Sequence, residues 1–321
     1  MEKKVLTDEV LYSSFLLSDV SEDSMTKTFL TEENKILKIL PDEEEQHNAF
    51  RFAINQLRLY DKMDSLLLGS GDFSEFVLKN RELMEQKILK SKDFIELSAS
   101  ISLPTAMYYK KDGTFIGYEQ EKVEGRSLYD YKDSMYNDSS LGAMLLYELT
   151  EIVEKANQLG IVFTDLSNLT NIMVTPDLCI KLIDYDDFQI GKLRSLTKSM
   201  ILSEKMNPVL GTKKYVEEGI YSANFNKASL LNTMYLTLNR MELLGNDSSK
   251  SYQEAVINNR VKNFVYLEGY DYPELFSTLM DAGNEELMEA TKTIFHLEKE
   301  NIYPKEAIKT YAKKRNIEYK R

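Results

Sequence analysis

Asp165, Asn171 and Asp184 each stand at the edge of an apolar run. Ile172-Met173-Val174 follows Asn171, and Ile180, Leu182 and Ile183 precede Asp184. The intervening Thr175-Pro176-Asp177-Leu178 has turn composition, because Pro presets one dihedral and Asp bonds nearby backbone. The pattern predicts a β-hairpin with Asn171 at the mouth of one strand and Asp184 leaving the other at the same end. Two oxygen ligands facing each other there can hold a hard divalent cation such as Mg²⁺. Asp165, on the loop just before, can accept a proton from an incoming hydroxyl. The competing reading is an ordinary hairpin with polar ends.

Several elements must position these residues. Residues 9–40 read as strands: Val10 to Leu17, Thr26 to Thr31, and Lys35 to Leu40, with a turn at Glu32-Glu33-Asn34. On the last of these, alternation sets Leu37 on one face and Ile36 with Lys38 on the other. Residues 41–68 read as a helical insertion with an acidic start at Asp42 to Glu45. Helix continues over 74–91. Ala106 to Tyr109 and Phe115 to Tyr118 form a hairpin around Lys111-Asp112-Gly113. Leu141 to Leu159 is an amphipathic helix stopped by Gly160, and residues 237–321 read as helical.

This order of features resembles the catalytic core of the protein-kinase superfamily, over about residues 10–240. Phe163-Thr164-Asp165 stands where that family has His-Arg-Asp, and Asp184-Tyr185-Asp186 where it has Asp-Phe-Gly. Lys38, in Ile-Leu-Lys-Ile, matches the ATP lysine, with Lys35 as its competitor. Glu85 matches the helix glutamate that pairs with that lysine, and Glu82 competes with it. Residues Glu119 to Leu128 resemble the hinge, where backbone groups of Gln120, Glu121 and Val123 would hold adenine. Gly211-Thr212-Lys213-Lys214-Tyr215 resembles the end of an activation segment, and Asn226 opens the outline of the buried helix beyond it.

The departures are specific. Five residues separate Asp165 from Asn171, where the family has four. Asn168 is therefore a competing metal ligand, although Asn171 has the better spacing to Asp184. The phosphate-covering stretch, Ser18 to Ser24, has three acids and no glycine. Asp186 replaces a glycine and adds a carboxylate near the expected metal, which could recruit another cation; the favoured reading is a solvated turn residue. Asn226 replaces the Asp that orients the catalytic loop.

The resemblance implies an α+β, two-lobed protein-kinase-like fold. Its small β-rich N-lobe covers 1–123, with an insertion at about 41–80, and its larger helical C-lobe covers 124–321. It implies an ATP- and Mg²⁺-dependent phosphotransferase acting on Ser/Thr hydroxyls of a protein. Lys38, oriented by Glu85, would bind the α- and β-phosphates, Asn171 and Asp184 would bind Mg²⁺, and Asp165 would act as catalytic base. The alternatives are a pseudokinase scaffold, a small-molecule phosphotransferase, or nucleotidyl transfer on the same fold.

Composition narrows the remaining classes. Of 321 residues, 43% are hydrophobic and 29% charged, which fits a globular chain. A net charge of −12 argues against a general polyanion-binding surface. Residues 305–321 hold seven Lys or Arg against two Glu, the one stretch suited to an acidic partner or nucleic acid. With two histidines, His47 and His296, a histidine metal site or a Ser-His-Asp triad is not expected. A lone Cys179 and the lack of an apolar leader or a spanning run of ~18 residues give the expectation of a cytoplasmic protein without a membrane partner.

Overall fold

The computed structural model describes residues 1–18, 26–46, 73–131, 139–166 and 168–195, together with 216–217, 220–223, 225–226, 229–230 and 233. The expected helices of 47–68 and 237–321, the Gly211–Tyr215 stretch, most of the Ser18–Ser24 loop and the basic C-terminal segment lie outside the described residues. The protein is mixed α+β and divides into two compact units. One is built from Met1–Lys122 and the segment that opens at Asp184. The other is built from Val123–Ile183 and the described residues from Tyr221 onward.

The first unit is organised by six strands: β1 (Glu2–Val5), β2 (Phe15–Ser18), β3 (Lys27–Leu30), β4 (Lys35–Ile39), β5 (Pro104–Tyr109) and β6 (Phe115–Glu121). They form one sheet in the order β1-β5-β6-β4-β3-β2. β1 runs parallel to β5 and the other pairings are antiparallel. The β5–β6 hairpin turns where Gly113 takes φ +88° and Thr114 N–H donates to Asp112 Oδ1 at 2.9 Å. Leu37, Ile39, Ala106, Tyr108 and Ile116 form a buried cluster, against which Leu6, Val10, Leu11 and Phe29 pack. The chain's first expected strand is corrected here. Asp8–Tyr12 is a short helix, α1, because Thr7 caps it by accepting from Val10 N–H and acids fill its first turn. Strand resumes only at Phe15.

Asp42 and Glu45 bond reciprocally, Glu45 N–H to Asp42 Oδ1 at 2.9 Å and Asp42 N–H to Glu45 Oε2 at 3.3 Å. This capping box gives the acidic stretch its helix start. Helix α2 (Phe73–Lys90) packs against β6. Its buried stripe runs Val77, Asn80, Met84, Lys87, Ile88 and on to Ser91, the spacing of one helical face. A 3₁₀ segment, Ser91–Leu97, continues from it and buries Phe94 and Leu97.

In the second unit, α3 (Ser139–Gln158) buries Leu141, Leu145, Leu146, Leu149, Ile152, Val153 and Ala156 along one face. Gly160 ends it at φ +72°. Next come β8 (Ile161–Phe163), β9 (Ile172–Val174) and β10 (Ile180–Leu182). β9 and β10 form the expected hairpin, with Ile172 opposite Leu182 and Val174 opposite Ile180. A short strand, β7 (Arg126–Ser127), lies on the other side of β9. Gly125 permits that approach, since a Cβ there would stand 2.3 Å from the Val174 carbonyl oxygen. No described helix is long and apolar enough to cross a membrane.

Candidate functional site

In the second unit, the sequence-predicted Asp165, Asn168 and Asn171 come together. Asn171 Nδ2 donates to Asp165 Oδ2 at 2.9 Å, and Asn168 Nδ2 donates to the same oxygen at 3.2 Å. The six-residue step between Asp165 and Asn171 is taken up by turns. Asn168 N–H bonds the Asp165 carbonyl, and Asn171 N–H bonds the Asn168 carbonyl. The two asparagines differ in what remains to them. Asn168 Oδ1 accepts from Thr170 N–H and Thr170 Oγ1, capping the turn Leu169–Asn171. Asn171 Oδ1 accepts no hydrogen bond among the described residues. At the mouth of the hairpin, Ile183 N–H donates to the Asn171 carbonyl at 3.0 Å, and Asp184 is the next residue in the chain.

Asn226 holds the strand that leads into Asp165. It is wholly buried. Its Oδ1 accepts from Phe163 N–H at 2.6 Å, and its Nδ2 donates to the Ile161 carbonyl at 2.8 Å and to Asn157 Oδ1 at 2.6 Å. An amide both accepts and donates, so Asn satisfies a backbone N–H and a backbone carbonyl at once. Thr233 Oγ1 donates to the Leu166 carbonyl at 2.9 Å, a second tie to the same loop.

In the first unit, Lys38 is the centre of a second cluster. Its side chain is 8% exposed, and Nζ donates to Asp184 Oδ1 at 2.6 Å and to Asp186 Oδ1 at 2.8 Å. Tyr118, directly opposite Lys38 on β6, donates its hydroxyl to the same Asp186 oxygen at 2.5 Å. Gly117 makes the strand approach possible, because a Cβ there would stand 2.2 Å from the Lys38 carbonyl oxygen. Asp184 adopts the left-handed conformation, φ 63° and ψ 51°, which Asp tolerates better than most residues. Its carboxylate caps no backbone N–H and is turned instead to Lys38. The second oxygen of Asp184 accepts no hydrogen bond among the described residues.

Two expectations are corrected by this cluster. Asp186 is a buried residue, not a solvated turn residue. Glu85 does not pair with Lys38; its Oε1 accepts from the Tyr109 hydroxyl at 2.8 Å. The reason is helical geometry. Glu85 and Lys87 are two residues apart, about 200° around the helix. Lys87 belongs to the buried stripe and donates through Nζ to the Asp186 backbone carbonyl. Tyr185 returns the contact by donating its hydroxyl to the Lys87 carbonyl at 3.2 Å. Glu82, the competitor of Glu85, is exposed.

The charges in this cluster are set by burial and pairing. Burial alone would favour the neutral amine at Lys38, but Asp184 and Asp186 override it and hold the ammonium well above its ordinary value. At Asp186 burial favours the neutral acid, and Lys38, Tyr118 and Lys87 together outweigh it and lower its value. Lys87 has only partial compensation. Burial, aided by the charge of Lys38, pushes it down to about 8 against the attraction of Asp187 and Asp186. Lys35, the competitor of Lys38, pairs with Glu33 at 3.0 Å and with buried Glu119 at 3.1 Å. Glu119 also accepts from Lys4 and from the Tyr108 hydroxyl.

Of the expected adenine-contact residues, Gln120 is buried and its Oε1 has no partner among the described residues. Glu121 is exposed, and its carbonyl accepts from Ser102 Oγ at 3.0 Å. Val123 is half-buried. No group of three or more His, Cys, Asp or Glu among the described residues is arranged to hold a metal ion. Sequence reasoning missed Lys87 and Tyr118, and it placed Asp186 in solvent where the structure buries it. Compared with known proteins, the chain matches no family model and no curated protein.

Proposed function

We propose that the protein is an ATP- and Mg²⁺-dependent phosphotransferase with a two-lobed, protein-kinase-like fold, acting on Ser or Thr hydroxyls of a protein substrate. The observation that carries this reading is the buried Lys38 ammonium within 2.6 Å of Asp184. A lysine held charged beside a carboxylate with one oxygen still open suits a phosphate-binding group beside a metal ligand. In this reading Asp184 and Asn171 would each serve as an Mg²⁺ ligand, as the sequence suggested: each keeps an oxygen that accepts no hydrogen bond among the described residues, and Mg²⁺ is often held by one or two protein ligands plus phosphates and water. When bound, Mg²⁺ neutralises phosphate charge. Lys38 binds phosphate oxygens through the ammonium hydrogen its two carboxylates leave over. Asp165, steadied by the amides of Asn168 and Asn171 on Oδ2, orients the acceptor hydroxyl and takes its proton. The Oε1 of Gln120, which has no partner among the described residues, is an acceptor for a ligand amino group in this reading.

A second reading, a pseudokinase scaffold, draws on the same contact, because the Lys38 ammonium already occupies one oxygen of the proposed metal ligand. Calorimetric titration with Mg·ATP tests the first reading. Wild type binds only when Mg²⁺ is present, and both Lys38→Met and Asp184→Asn weaken binding by roughly ten-fold or more, the value of a charge-assisted contact. Equal binding by all three proteins overturns the assignment.

A further inference from the structure

We infer that Asp186, steadied by Tyr118, is the positioning residue of Lys38, in the role the sequence suggested for Glu85; the inference rests on the reading of Lys38 as the phosphate-binding lysine. The Lys38 ammonium has two carboxylate partners, and they differ in exposure. Asp184 is 28% exposed at its side chain and Asp186 5%. The buried partner is also the better braced. Its Oδ1 accepts from both Lys38 and Tyr118, and its backbone carbonyl accepts from Lys87. The reciprocal bond from Tyr185 to the Lys87 carbonyl ties the same short stretch to α2 a second time. Asp186 is therefore fixed through its side chain to the sheet and through its backbone to the helix.

This arrangement explains a departure the sequence could only record. A glycine at 186 would carry no carboxylate, and α2 would then have to supply one. Here α2 turns Lys87 inward, so no helix carboxylate reaches Lys38. The anchor of the lysine thus lies two residues from the proposed metal ligand, on the same stretch of chain. Lys38 and Asp184 are held as one assembly, and α2 contributes a clamp on the backbone instead of a charge partner.

Acylation of the full-length protein with acetic anhydride, read at Lys38 by peptide mass spectrometry, tests the pairing without nucleotide. Mg·ATP titration of the same variants tests its consequence. Asp186→Asn retains shape and an acceptor for Tyr118 but loses the charge. It acylates Lys38 several-fold faster than wild type and binds Mg·ATP roughly ten-fold more weakly, the scale of one charge-assisted contact. Tyr118→Phe, which removes only a hydroxyl, shifts both readouts in the same direction by less. Glu85→Gln changes neither, because its partner is Tyr109. Circular dichroism establishes that each variant is folded. Unchanged Lys38 acylation in folded Asp186→Asn and Tyr118→Phe, or an equal rise in Glu85→Gln, overturns the inference. If wild type binds no Mg·ATP, the phosphotransferase reading falls, and the acylation rates still decide which carboxylate positions the lysine.

Discussion

Replacing Lys87 by Met should flatten the dependence of stability on pH. Lys87 is wholly buried on α2, and burial takes its value from the ordinary 10.5 to about 8. At roughly 1.4 kcal/mol per pH unit, carrying the charge costs the folded protein about 3 kcal/mol below pH 8. Between pH 8 and 10.5 the unfolded chain still binds this proton and the folded chain has lost it. Stability therefore rises with pH across that window, by about 2 kcal/mol from pH 7.5 to 9.5. Other shifted groups in the cluster act elsewhere. Lys38 is raised above 10.5, so its contribution is complete below that value, and Tyr118 is raised above 10.0 and acts only at higher pH. Met has nearly the length of Lys and no charge. Urea unfolding of wild type and Lys87→Met, followed by circular dichroism at pH 7.5 and 9.5, isolates the effect as a difference of differences. Wild type gains about 2 kcal/mol more than the variant on the shift to pH 9.5. An identical gain in both proteins refutes the claim that Lys87 carries a desolvated charge.

Asn226→Ala removes the side-chain acceptor of the Phe163 N–H and the side-chain donor to the Ile161 carbonyl at a buried position; unfolding in urea should show a loss of about 3 kcal/mol, and Asn226→Asp, which keeps only the acceptor, should also be weakened. Gly117→Ala drives a Cβ into the Lys38 carbonyl; a thermal melt should reveal a loss on the order of 3 kcal/mol, the scale of a backbone clash in a packed sheet. Asn171→Ala should raise the Mg²⁺ concentration needed for nucleotide binding roughly ten-fold, whereas Asn168→Ala, which removes a turn cap, should leave that requirement unchanged and cost about 1 kcal/mol of stability. Titrating Mg²⁺ at fixed ATP separates the two, and the reverse pattern would make Asn168 the metal ligand.

The local elements were legible wherever periodicity and turn chemistry agreed. The hairpin of β9 and β10, the hairpin of β5 and β6 and the helix α3 all follow from apolar spacing bounded by Pro, Gly or Asp. β1 was not legible, because Glu2-Lys3-Lys4-Val5 is mostly charged. It holds its place at the sheet edge with Lys4 paired to Glu119. Val10 to Tyr12 has strand-like composition, and the Thr7 cap overrode it. At the site, residue types were legible but partners were not. Lys38, Asp184 and Asn171 stand out by their spacing, whereas Asp186 has only the signature of a turn residue, and turn residues are usually solvated. One signal did exist. Asn80 and Lys87 interrupt the apolar face of α2 at helical spacing, and a polar residue on a buried face calls for a buried partner. That signal points away from Glu85, on a different side of the same helix.

Phosphoryl transfer is tested by following release of the γ-phosphate of labelled ATP by the 321-residue chain with Mg²⁺, with and without a generic protein acceptor. The expected result is Mg²⁺-dependent turnover that Asp165→Asn abolishes without a comparable loss of Mg·ATP binding. Wild-type turnover that persists in Asp165→Asn, or tight Mg·ATP binding with no turnover at all, contradicts it.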